Sequence, residues 1–361
     1  MVCPGLSYEI ITDTANSKTI MGKRGLTLGK FAPLHKGHQL VIETALAEMD
    51  EVVVIIYDCP EVTEVPLTIR ANWLRKIYPT IQIIEAWDGP SVVGDTPEIK
   101  KKHEDYILGR LKSQKITHFY SSEFYGKHMS EALGAINRLV DCDRQKVPIS
   151  GTEVRKDPFK FRKYLHPLVY CDLITNVVFL GAPSTGKTTI ASQLAQEYNT
   201  VWMPEYGREY WETHQLERRL SLEQLVEIAF GHLEREEAMK QQANHYLFTD
   251  TNAITTYHFS LYYHNSVAPT LVDLANQAAL SYDLVFVCET DIPYHDTWDR
   301  SGETNRNIFQ KIILSDLILR KVPFFQLRGS LDTRIQVVKR VLSQYRKYSN
   351  LLELLSPYTN V

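Results

Sequence analysis

A chain of 361 residues, 44% of them hydrophobic and 23% charged, with a formal net charge of −3, has room for two domains with proper cores. That charge balance supplies no overall positive field to favour nucleic acid or an anionic membrane. Five scattered cysteines (Cys3, Cys59, Cys142, Cys171, Cys288) without a C-x-x-C pair speak against a zinc site or disulfide framework and for a reducing compartment. The first residues carry no apolar leader and no later run reaches bilayer length, so a cytoplasmic protein without membrane insertion is expected.

Residues 1–23 are mixed and polar, an extension too short for a helix-turn-helix unit. A strand is predicted over 26–31, running into a Pro/His/Gly turn, and a helix follows to about residue 49. The β-branched run 51–57 reads as a parallel strand covered on both faces. A helix over 70–78, a strand over 81–86, a loop over 88–97, a helix over 98–112 and a strand over 117–121 come next. Strands and helices alternating at this spacing predict a parallel sheet with crossover helices. A short helix over 157–167 closes the unit, and residues 168–175 read as an apolar linker. The fold class is therefore α/β, with an extension over 1–23 and two domains over 24–168 and 175–350.

In the second unit, a strand at 177–180 enters Gly181-Ala182-Pro183-Ser184-Thr185-Gly186-Lys187-Thr188, which fits G-x-x-x-x-G-K-S/T in the strand-then-helix context that motif needs. Such a loop turns successive backbone N–H groups onto phosphate oxygens and adds the positive end of the following helix. Lys187 would reach the β- and γ-phosphates, and Thr188 would help to hold Mg²⁺. Gly181, Ser184, Thr185, Gly186, Lys187, Thr188 and Thr189 form the expected triphosphate cradle. Strands over 200–203, 246–250, 284–288 and 324–327 alternate with helices, the last reaching about residue 348. Glu205 and Asp250 each end an apolar strand, and either could serve as base to an acceptor hydroxyl. Asp250 suits a metal position or a ribose diol as well, and Arg208 falls beside the acceptor. The turn-rich stretch 299–306 reads as a lid that brings Arg300 and Arg306 onto the transferring phosphoryl.

The first unit carries its own phosphate signature. His35 and His38 flank Lys36-Gly37 at a strand-to-helix turn, so two imidazoles and a helix start face one spot. That cluster suits charge developing on an α-phosphate and a leaving pyrophosphate. Ser150 or Thr152 fits an N-cap, and Arg155 would clamp phosphates from the opposite side.

Gly29-Lys30-Phe31-Ala32-Pro33-Leu34-His35-Lys36-Gly37-His38 resembles the G-x-F-x-P-x-H-x-G-H signature of the nucleotidylyltransferase superfamily. Ile149-Ser150-Gly151-Thr152-Glu153-Val154-Arg155 is similar to the I-S-x-T-x-x-R motif of its nicotinamide-mononucleotide (NMN) adenylyltransferase branch. Upstream of a P-loop kinase, the pair resembles the bifunctional NadR-type family over about residues 25–348. The resemblance implies a Rossmann-like nucleotidylyltransferase domain followed by a P-loop ribosylnicotinamide kinase domain. It implies Mg²⁺ at both sites and ATP, ribosylnicotinamide, NMN and NAD as ligands, with room for a homo-oligomer. It places ATP of the first reaction on Lys30, Phe31, His35, His38, Ser150, Thr152 and Arg155, with the two histidines catalytic. Trp73 and Trp87 become candidates to stack on a nicotinamide ring, Trp87 the better placed. Family members with an N-terminal helix-turn-helix bind DNA, and the short polar start here leads us to expect no nucleic-acid partner. Rival readings are a fused pantetheine-phosphate adenylyltransferase and dephospho-coenzyme A kinase, or a sensor that binds NAD or ATP without turnover.

Overall fold

The computed structural model describes residues 22–90, 92, 94–123, 126–215, 220–293 and 303–348. Its first sheet has five parallel strands, β1 (Arg24–Gly29), β2 (Glu51–Tyr57), β3 (Gln82–Ala86), β4 (His118–Ser121) and β5 (Ile136–Leu139), in the order β3-β2-β1-β4-β5. The helices are α1 (Lys36–Glu48), α2 (Leu67–Ile77), α3 (Pro97–Leu111), α4 (Gly126–Leu133), α5 (Gly151–Lys156) and α6 (Pro167–Leu173). The β-branched run of β2 explains why it lies inside the sheet. Val52, Val54 and Ile56 join the core on one face, while Val53 and Ile55 join Leu26 and Phe119 on the other. The order reverses beside β1, so its carboxyl end opens onto the crevice where α/β sheets bind ligands.

The second sheet repeats the plan with β6 (Thr175–Leu180), β7 (Trp202–Met203), β8 (Tyr246–Asp250), β9 (Leu284–Cys288) and β10 (Phe325–Leu327), in the order β10-β9-β6-β8-β7, all parallel. The helices are α7 (Lys187–Glu197), α8 (Tyr206–His214), α9 (Leu222–Lys240), α10 (Ala253–His264), α11 (Pro269–Ala278), α12 (Glu303–Leu319) and α13 (Leu331–Gln344). All six residues of β6 are buried, Val177 and Phe179 in one core and Val178 and Leu180 in the other. Among the described residues no helix is long and apolar enough to cross a membrane.

The stretch expected as a linker over 168–175 is helix α6 and the first residue of β6, and it is fastened from both sides. The Trp73 indole donates to Asp172 at 2.7 Å, and the Tyr170 hydroxyl donates to the Ala243 carbonyl at 2.5 Å. Ala243 and Leu247 of the second unit pack into the core of the first. The short helix expected over 157–167 is instead turns with one 3₁₀ turn at Arg162–Tyr164. The turn-rich stretch is helical from Glu303 on, and Asp296 to Gly302, Arg300 among them, lie outside the described residues, as do positions 1–21 of the extension.

Candidate active sites

The first site forms where β1 hands over to α1. His35 is the N-cap of that helix, and its Nδ1 accepts from the Gly37 N–H at 3.1 Å. An accepting Nδ1 leaves the proton of the neutral ring on Nε2, the nitrogen that faces the start of α5 near Gly151. The His38 ring stacks on that of His35 with centroids 3.8 Å apart, and its Nδ1 accepts from the His35 N–H at 3.4 Å. Burial, then Arg144 and Arg155, hold the His35 imidazole down at about 4. Desolvation, then His35 and the same two arginines, hold His38 well below its ordinary value. Both rings are therefore neutral near pH 7 and act there as oriented hydrogen-bonding groups.

Arg155 reaches across from α5, donating to the Ala32 carbonyl at 2.5 Å and to Thr152 Oγ1 at 3.0 Å. The Ser150 hydroxyl is engaged in a capping box with Glu153, accepting its N–H at 3.2 Å and donating to its carboxylate at 2.7 Å. Phe31 is buried and meets His38 edge-on at 5.0 Å, so its ring forms a wall beneath the histidine. Lys30 is exposed and paired with Glu61 at 2.7 Å. Trp73 does not serve as a stacking platform. It is 1% exposed, inside the core, because α2 turns it inward and Asp172 takes its only polar group. Trp87, 53% exposed just past β3, does offer a face to solvent.

The second site is built around β6. Gly181 has φ +134°, and a Cβ there would stand 2.5 Å from the Cys288 carbonyl oxygen, so the phosphate loop begins where only glycine fits. The loop then feeds α7, with Lys187 buried and donating to the Ala182 carbonyl at 3.0 Å. Asp250, fully buried at the end of β8, accepts from the Thr188 hydroxyl at 2.5 Å through Oδ2, while its Oδ1 has no partner among the described residues. Burial, then the charge of Glu205, pushes the Asp250 carboxyl up to about 6, against the pull of Lys187, Thr188 and Arg208.

The phosphate loop and the start of α7 border a cavity of about 1160 Å³. Ser184, Thr185, Gly186, Lys187, Thr188 and Thr189 line one end, and Glu205 and Arg208 line another part of the wall. The remaining wall mixes aliphatic and polar residues with the aromatic side chains of Trp211, Phe259, Tyr262 and Tyr263. Helix α8 is set against α9 because Gly231 has no side chain. The Tyr206 ring occupies the space a Cβ would need, with the Arg235 guanidinium 3.9 Å from its centroid.

Three arginines that shape the sites face backbone rather than ligand. Arg306 does not ride on a lid: it is 2% exposed in α12 and donates to the Ser184 carbonyl at 3.1 Å and the Ile292 carbonyl at 3.1 Å. Arg334 of α13 donates to the Thr185 carbonyl at 2.8 Å, to Gly329 at 3.0 Å and to Glu289 at 3.1 Å, and pairs with Asp291. The Ser184 and Thr185 carbonyls are thus held from behind, while the Ala182 N–H is taken by the Gln310 side chain at 2.8 Å. In the first domain the buried Arg70 does the same, donating to the carbonyls of Tyr57 and Val65 at 2.9 Å each and to that of Lys30. Arg70 and Arg334 are absent from the sequence-based expectations, yet each left a trace. Arg334 falls in helical register with Val338 and Leu342, and Arg70 with Leu67 and Leu74. A cation on an apolar stripe has to find partners inside.

Residues 26–157 match the cytidylyltransferase-like family model, and residues 176–334 match that of the AAA domain. Over 344 residues the chain is 26% identical to the trifunctional NAD biosynthesis/regulator protein NadR of Salmonella typhimurium, covering 89% of this chain and 83% of that one. The chain is a homologue of NadR. The Escherichia coli NadR is 25% identical over 346 residues, with 89% of this chain and 84% of its own covered. A crystal structure of NadR protein in complex with NR superposes with a TM-score of 0.54 at 22% identity, covering 90% of this chain and 96% of that one. The likeness to NadR thus spans both sheets, and both sites fall inside the matched ranges.

Proposed function

We propose that the chain is a bifunctional enzyme of NAD synthesis. Its second domain, residues 175–350, transfers the γ-phosphoryl of ATP to the 5′-hydroxyl of ribosylnicotinamide, giving NMN and ADP. Its first domain, residues 24–168, joins NMN to the AMP portion of a second ATP, giving NAD and pyrophosphate. The observation that carries this reading is that one chain holds two separate phosphate-binding turns, each at the end of a central parallel strand, in a homologue of NadR matched over 89% of its length.

In the kinase domain the loop N–H groups and Lys187 hold the triphosphate. Glu205 or Asp250 takes the proton of the acceptor hydroxyl, and Arg208 lies beside the acceptor. The partnerless Oδ1 of Asp250 and the Thr188 hydroxyl are a donor set that fits Mg²⁺. When bound, that ion neutralises phosphate charge. In the first domain the neutral His35 and His38 rings and the Arg155 guanidinium stabilise charge at the α-phosphate as the NMN phosphate attacks it and pyrophosphate leaves. Lys30 adds positive charge at the rim, and Trp87 offers its exposed face to the nicotinamide ring.

Incubating the purified chain with ATP, Mg²⁺ and either ribosylnicotinamide or NMN, and separating products by chromatography, tests both halves. NMN with ADP, and NAD with pyrophosphate, are the expected products. Turnover of pantetheine phosphate and dephospho-coenzyme A instead would make this a coenzyme A enzyme. Binding of ATP or NAD with no turnover would make it a sensor.

A further inference from the structure

We infer that a basic pocket at the junction of the two domains is a binding site for a compact, multiply charged phosphate anion: a diphosphate, either free or carried by a nucleotide. Five of the nine residues 155–163 are Lys or Arg against a single Asp, in a chain whose net charge is −3. Three of them, Lys160, Arg162 and Lys163, line one pocket of about 330 Å³ together with Tyr170 of α6 and Gln241 just past α9. The pocket wall therefore joins the end of the first domain to the second. It shares no residue with the wall of the kinase cavity, and none of the residues placed in the first site lines it.

None of the three cations is in an ion pair among the described residues. Aromatic rings hold them instead. The Lys160 ammonium lies 5.3 Å from the centroid of Phe161, the Arg162 guanidinium 4.3 Å from that of Phe159, and the Lys163 ammonium 4.9 Å from that of Tyr164. A ring face steadies a cation and leaves its charge uncancelled. Arg162 also donates to the Phe159 carbonyl at 2.8 Å, which uses one of its five N–H groups. Asp157, the acid of the run, turns Oδ1 to the Lys160 backbone N–H at 2.9 Å. Burial pushes the Tyr170 hydroxyl up to about 12 against the pull of Arg162, so the field of that guanidinium reaches the pocket wall.

Three like charges around one small pocket repel each other, and an anion among them turns that repulsion into attraction. A single carboxylate would leave two of the three uncompensated. A diphosphate carries charge and oxygens enough for all three, with the arginine fork matched to one phosphate and the two ammonium groups acting as point charges. The volume falls near the lower end of the range of small-molecule sites, about 300–1,000 Å³, which suits such a ligand. Gln241 contributes wall rather than contact, because its amide nitrogen already donates to the Pro167 carbonyl at 3.2 Å and to Cys171 Sγ.

The test reads the pocket directly, so that anions bound in the two active sites do not count. The full chain is acetylated briefly at its lysines, and the extent at each position is measured by mass spectrometry with inorganic pyrophosphate, with ADP, or with sodium chloride at the same ionic strength. Lys102 and Lys321, exposed and outside the pocket, are the controls. Pyrophosphate or ADP is expected to lower labelling of Lys160 and Lys163 about fivefold with the controls unchanged, and Arg162→Gln to raise the half-protecting concentration about tenfold. Protection by pyrophosphate at the lower concentration assigns the pocket to the free anion, and protection by ADP at the lower concentration assigns it to a nucleotide. Equal labelling of Lys160 and Lys163 with and without both anions overturns the inference, as does protection that sodium chloride reproduces.

Discussion

The Thr188 hydroxyl donates to Oδ2 of Asp250 at 2.5 Å, tying the helix that opens at the phosphate loop to the end of the neighbouring strand β8. The bond joins a fully buried carboxyl group to the start of the helix after the phosphate loop, and it leaves Oδ1 without a partner among the described residues.

Burial raises the Asp250 carboxyl from its ordinary 3.8 to about 6, so the folded chain binds this proton more tightly than the unfolded one. The group's contribution to stability therefore falls as pH rises from about 4 to about 6, and above that range its charge is a burden on the fold. Asp250→Asn removes the charge and keeps an oxygen to accept from Thr188. At pH 7.5 the variant is expected to melt a few degrees above wild type by calorimetry, with kinase turnover down at least about a hundredfold. A variant that melts lower at pH 7.5, or keeps its kinase, contradicts this account of Asp250. In the wild type, kinase kcat is expected to decline as pH falls through about 6 and the carboxylate is lost.

Lys187→Ala should separate the two reactions. Removing the buried ammonium takes away the fixed charge at the β- and γ-phosphates, so kinase turnover is expected to vanish while adenylyl transfer holds near its wild-type rate. Both rates are read on one preparation, and joint loss in a folded variant rejects two independent sites.

His35 shows the opposite pH behaviour to Asp250. Its folded value of about 4 lies below the ordinary 6.5, so the stability it contributes is present above 6.5 and is lost as pH falls from there toward 4. The first domain should lose melting temperature over that interval, and His35→Gln should flatten the slope. For catalysis, His38→Ala is expected to lower adenylyl-transfer kcat on the order of a hundredfold with a small change in KM. A rise in KM alone would make the ring a uniform binding group.

Arg334→Lys tests the support behind the phosphate loop. A lysine cannot span the carbonyls of Thr185, Gly329 and Glu289, and each buried carbonyl left unpaired costs about 1–3 kcal/mol. The variant is expected to melt several degrees lower and to show a raised KM for ATP in the kinase reaction, with adenylyl transfer intact below the transition. Unchanged melting and KM would mean that the loop holds its shape without this brace.

The parallel sheets and their strand ends were legible because they are written locally. The β-branched run at Glu51–Tyr57 and the apolar run at Leu284–Cys288 announce buried strands, and a glycine that only a tight turn tolerates marks the phosphate loop at Gly181. Strand β5 was not legible: Ile136–Leu139 is an exposed edge strand with no alternation to mark it. Nor was the fate of the tryptophans. Trp73 and Trp87 look alike in sequence, and only the packing of α2 against Asp172 sends one inside. Arg306 reads as a lid cation in a polar stretch, but it falls in register with Phe309, Gln310 and Ile313 on the buried side of α12.

The bond from Arg334 to Thr185 joins positions 149 residues apart, and Arg306 reaches back 122 residues to Ser184. On a ribosome, which delivers the chain from its N-terminal end, the phosphate loop emerges long before the helices that shape it. The nascent second domain would carry the complete G-x-x-x-x-G-K-T sequence through most of its synthesis without a formed cradle. A message truncated after β9 would yield a product that bears the kinase motif but lacks the two arginines that hold the Ser184 and Thr185 carbonyls, and such a product is expected to bind ATP weakly.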